Sequence, residues 1–113
     1  MLLEVKPFVG LLKKEDAKRA REWLELNKGN ANPTDEFEMG YLLALQGMAS
    51  ALESGGELST INKILKKRYA PEQVNDVVKD AKAKLSQKFR LDDERGFHKA
   101  WIDVIQELSG EKT

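Results

Sequence analysis

The sequence predicts an all-α fold: a compact bundle of about five helices in one domain spanning 1–113, with the helix at 35–54 in its centre. Three observations predict it. Apolar residues recur at three- and four-residue intervals in every long segment, and no segment alternates as a strand does. Short clusters of Gly, Pro, Asn and Asp separate those segments. The stretch GYLLALQGMASALESGG, residues 40–56, is apolar around most of a helical circumference, as a helix buried on several sides must be.

The elements follow in order. Residues 1–12 read as an N-terminal arm or as a short helix begun by Pro7, whose fixed φ suits a first turn. KKEDAKRAREWLELNK gives a helix over Lys14–Asn27, with Ala17, Ala20, Trp23, Leu24 and Asn27 on one stripe. Gly29 stands where a glycine of positive φ closes a helix. GNANPT is a loop in which Thr34 is the expected N-cap, and Asp35 and Glu36 favour the positive end of the helix dipole. The central helix runs to Ser54 and stops at Gly55-Gly56. A third long helix is expected over Leu58–Tyr69, with Ile61 and Leu65 inward, and a fourth over Pro71–Phe89, with a Val74, Val77, Val78, Ala81, Leu85 stripe. Asp92 is the expected N-cap of a fifth, which buries Phe97, Ala100, Trp101, Val104, Ile105 and Leu108 and ends at Gly110; residues 111–113 are a tail. Linkers of about two to six residues favour antiparallel neighbours.

One skeleton occurs twice. With Gly40 set on Gly96, Tyr41 falls on Phe97, Ala44 on Ala100, Met48 on Val104 and Leu52 on Leu108. Either similar helices of one bundle converged on one pattern, or a helical hairpin was duplicated. In both cases the meaning is packing. Gly40, Ala44, Gly47 and Ala51 are expected to form a ridge of small residues that admits a neighbouring backbone.

Composition narrows function by exclusion. Among 113 residues there is no cysteine, so disulfides, thiolate metal sites and cysteine nucleophiles are excluded. The first residues lack the basic start and cleavage site of a signal peptide, and no apolar run approaches the roughly 18 residues of a membrane span. The expectation is a cytoplasmic protein with no membrane partner. Its many Lys and Glu residues lean toward a thermophilic composition. His98 is the single histidine, four residues after Glu94, and a metal site needs more ligands than that pair. The acidic clusters at 35–38 and 92–94 sit at helix starts, where the dipole favours them, and no acid falls on an apolar stripe. There is no nucleophile elbow and no phosphate loop. No catalytic residue, cofactor, metal or small-molecule substrate is therefore expected.

Two surfaces are left as candidates. Leu42, Leu43 and Met39 extend the apolar surface of the central helix, and with Trp23 they form a candidate protein interface, for a foreign protein or for a homodimer. The second is basic: residues 63–90 carry nine basic side chains against three acidic ones, while the segments on either side are each net negative. Lys63, Lys66, Lys67, Lys82, Lys84, Lys88 and Arg90 are the candidate face there, for RNA or for an acidic partner. The leading expectation is a non-enzymatic module that binds another protein, and the alternative is nucleic-acid binding through that basic face.

Overall fold

A computed structural model of the chain describes residues 4–55, 61, 64, 71–87 and 91–108. All regular structure among them is helical: α1 (Lys6–Lys13), α2 (Ala17–Asn27), a 3-10 turn (Lys28–Asn30), α3 (Glu36–Ser54), α4 (Pro71–Leu85) and α5 (Asp92–Leu108).

The N-terminal segment is a helix and not an arm. Pro7 lies in its first turn, where no N–H is needed, and Phe8, Val9 and Leu12 are fully buried. α1 packs on α2 and α5. The Phe8 ring meets Trp23 of α2 with centroids 5.6 Å apart.

Several boundaries differ from expectation, each for a local reason. α2 begins at Ala17, because Asp16 caps it and accepts from Arg19 N–H at 3.1 Å. Lys14 and Glu15 form the turn before it, with Glu15 at φ 53°. At the other end Gly29 does not take positive φ. The chain tightens into the 3-10 turn instead, and the Asn27 side-chain amide donates to the Trp23 carbonyl at 2.8 Å. Asp35, not Thr34, caps α3, accepting from Glu38 N–H at 3.2 Å. Thr34 is already engaged, since its N–H and hydroxyl both donate to Asn32 Oδ1. Asp92 is the first residue inside α5 and not its cap; Asp93 Oδ1 accepts the Glu94 N–H at 2.8 Å.

Gly55 ends α3 as expected, at φ 68°, its N–H donating to the Ala51 carbonyl. α4 stops at Leu85, short of Phe89, and Phe89 lies outside the described residues. So does most of the helix expected over Leu58–Tyr69, apart from Ile61, which is fully buried in the core, and Ile64.

α3 is the middle of the bundle. Tyr41, Ala44, Leu45, Met48 and Ala49 are buried along it, and it packs against both α2 and α5. α5 in turn meets α4, α3 and α1 and buries Ala100, Val104 and Ile105. Arg95 joins α4 to α5 by donating from Nε to the Leu85 carbonyl at 3.2 Å, which satisfies one of the last carbonyls of α4.

The repeated skeleton has a structural counterpart where α3 crosses α5. A Cβ on Gly40 would stand 1.8 Å from the Asp93 carbonyl oxygen, and a Cβ on Gly96 would stand 1.8 Å from the Phe37 carbonyl oxygen. The contact is reciprocal: each glycine meets the backbone one turn before the other. The expected ridge does not continue to Gly47, which is exposed and has no atom within 4 Å of where its Cβ would be. Helices that cross at an angle approach closely at one point and then separate.

Candidate docking site between α2 and α3

The four side chains expected to form a protein interface part company. Leu42 is 8% exposed and belongs to the core; Met39 is half-buried; Trp23 is half-buried and packs on Phe8. Leu43 faces solvent at 60% exposure. On a helix, adjacent positions lie about 100° apart, so Leu42 and Leu43 straddle the boundary between core and surface.

Leu43 begins the outer face of α3. Gln46, Gly47, Ser50 and Glu53 follow at helical spacing, and all are exposed. This face is uncharged until Glu53. α2 runs beside it, and between them lies a groove of about 830 Å³. Its α3 wall is Gln46, Ser50 and Glu53; its α2 wall is Lys18, Arg21, Glu22, Glu25 and Leu26, with Leu24 at the base. Leu26 is 84% exposed, the most exposed large apolar side chain among the described residues. Sequence periodicity leaves it off the α2 stripe, and a lone exposed leucine carries no signal until a neighbouring element makes it the edge of a groove.

The charges around the groove are of both signs. Arg21 forms an ion pair with Glu53 across the α2–α3 junction. Glu25 is paired with Lys28 at 2.8 Å, and this ammonium holds the Glu25 carboxyl below its ordinary range. Lys18 and Glu22 form no ion pair among the described residues.

The basic face is described only in part. Lys82 is exposed and Lys84 is half-buried, its ammonium 2.9 Å from Asp80. Lys79 and Lys82 edge a cleft of about 170 Å³ whose apolar lining comes from Val74, Val78 and Ile105. Lys63, Lys66, Lys67, Lys88 and Arg90 lie outside the described residues.

One polar cluster was not foreseen. Asp103, on α5 between buried Ile102 and Val104, accepts from the Tyr41 hydroxyl at 2.7 Å and from Lys99 Nζ at 2.6 Å. Burial, and then the hydrogen bond and negative charge of Asp103, push the Tyr41 hydroxyl well above its ordinary 10.0, so it stays protonated and donates. The only sequence signal was the Lys99–Asp103 spacing of four, which pairs charges on one helix face. Both carboxylate oxygens are engaged, which makes the cluster a bridge between α3 and α5.

His98 is half-buried, its ring edge-on to Phe97 at 5.9 Å. Among the described residues no three His, Asp or Glu side chains are grouped to hold a metal, and no helix is long and apolar enough to cross a membrane. No protein-family model, curated protein or solved structure matches this chain.

Proposed function

We propose that the protein is a non-enzymatic docking module whose α2–α3 groove receives a helix of a protein partner. The observation that carries this reading is the groove itself. Exposed Leu26 lines a channel between two helices whose α3 side presents Gln46, Ser50 and Glu53, and exposed Leu43 lies one turn before Gln46 on that same face of α3. A channel with helical walls fits a cylinder, and apolar anchors within a polar rim are how amphipathic helices dock. The mixed rim favours a protein over a polyanion: three acids, Glu22, Glu25 and Glu53, face the channel beside two bases, Lys18 and Arg21. Phosphates need a basic excess that this site lacks.

The test is capture of the tagged protein from its own cells, with and without nuclease, for wild type and Leu43→Lys. A protein that survives nuclease and is lost with Leu43→Lys supports the reading. Captured material that disappears on nuclease treatment overturns it, and transfers attention to Lys79 and Lys82.

A further inference from the structure

The groove's α2 wall carries its charges in a particular order. Lys18 and Arg21 come first, then Glu22 and Glu25. The spacing is three, one, three, which is symmetric about the midpoint between Arg21 and Glu22. The signs are antisymmetric about the same point. A two-fold axis through that midpoint, perpendicular to α2, would set Lys18 opposite Glu25 and Arg21 opposite Glu22, each pair occurring twice.

We infer that the partner helix is α2 of a second copy of this chain, docked antiparallel along the α2–α3 groove. This rests on the docking reading above and names its partner. A two-fold interface must be self-complementary, since the same patch serves both subunits. Few helices satisfy this with charge: a wall of one sign repels itself, and a wall of alternating signs pairs in several registers. The order plus, plus, minus, minus pairs opposites throughout in one antiparallel register and sets like charges together in a parallel one. Lys18 and Glu22 have no ion pair among the described residues, so this register supplies each with its counter-charge. It also brings the exposed Leu26 of each copy against Ala17 of the other, which is half-buried. Rim charges of this kind choose register and orientation, and Leu26 supplies the apolar contact.

The charge-swap experiment is direct. Purified untagged protein is measured by sedimentation equilibrium across a concentration series, as wild type, Lys18→Glu, Glu25→Lys and the double variant. Wild type is expected at twice the chain mass of 12.8 kDa. Each single variant sets like charges together twice per dimer and weakens self-association roughly tenfold or more. The double variant, and an equimolar mixture of the two single variants, recover it. Both substitutions agree with the α2 dipole, a carboxylate going toward its N-terminus and an ammonium toward its C-terminus, so folding is preserved, and circular dichroism checks this.

A wild type that stays monomeric at high concentration overturns the inference. So does a dimer that neither single variant weakens, or one that the double variant fails to restore. The docking reading fails separately. If wild type is a monomer yet captures a foreign protein that Leu43→Lys loses, the groove docks another chain. If it is a monomer and nuclease removes all captured material, both readings fall.

Discussion

Gly40 and Gly96 are each pressed against the backbone one turn before the other, with room in neither place for a single methyl group. The obstacle is a carbonyl oxygen in both cases, and backbone cannot rotate aside as a side chain can. Gly40→Ala and Gly96→Ala should therefore each destabilise by about 1–3 kcal/mol, the overpacking cost, in spite of the helix propensity that alanine brings. Gly47→Ala should do the opposite and stabilise by about 0.5–1 kcal/mol, because its Cβ would enter open space within the same helix. Denaturant midpoints of the three variants check the contrast. Equal effects at Gly40 and Gly47 would show that α3 and α5 are not in close contact.

The bridge between Tyr41 and Asp103 has a pH signature. A hydroxyl held above its ordinary value binds its proton more tightly folded than unfolded. Its contribution is whole below 10.0 and is lost as pH rises beyond that. Wild type should lose more stability than Tyr41→Phe between pH 8 and pH 11, measured by urea unfolding. At pH 8 Tyr41→Phe should cost about 1.5–3 kcal/mol, the value of a hydrogen bond to a charged acceptor. Parallel pH profiles for the two proteins would show that the bridge does not form.

Caps offer a third measurement. Asp35→Ala should cost about 1 kcal/mol, because Asp35 satisfies an otherwise unpaired N–H of α3. Thr34→Ala should stay within about 0.5 kcal/mol, since Thr34 is an exposed loop residue bonded to Asn32. The reverse order would return the cap to Thr34.

Stability and docking should separate along α3. Leu45→Ala removes a fully buried side chain and should cost about 2–5 kcal/mol. Leu43→Gln and Leu26→Gln should change stability by no more than about 0.5 kcal/mol while weakening association through the groove. Thermal melts and binding measured on the same samples distinguish the two classes.

The helices were legible in the sequence because burial imposes its period on it. The stripes through Tyr41, Ala44, Leu45 and Met48 and through Ala100, Val104 and Ile105 are the core. Helix ends were less legible, since several polar residues in one loop compete to cap and local hydrogen bonds decide among them, as Asn32 does by engaging Thr34. The candidate interface was legible only at Leu43. Its other half, Leu26, has meaning only once α2 lies beside α3. Asp103 escaped notice because its partner is 62 residues away. The basic residues Lys63, Lys66, Lys67, Lys88 and Arg90 belong to stretches outside the described residues, and Lys84 proved to be engaged by Asp80.

The meeting of α3 and α5 also bears on how fast the chain finds its fold. Helical bundles built from sequence neighbours fold quickly because their contacts are local. Here a close helix crossing is accompanied by a hydrogen bond between Tyr41 and Asp103, residues 62 apart in the chain. The chain must close that long loop before the contact gives anything back, and the entropy of closure grows with the logarithm of its length. α1, α2 and α3 lie together near the start of the chain and are free to assemble early, but α3 keeps one apolar side bare until α5 arrives. Docking of α5 is then the step expected to limit folding, and Gly40→Ala and Gly96→Ala, which obstruct it, are expected to slow refolding as well as to lower stability.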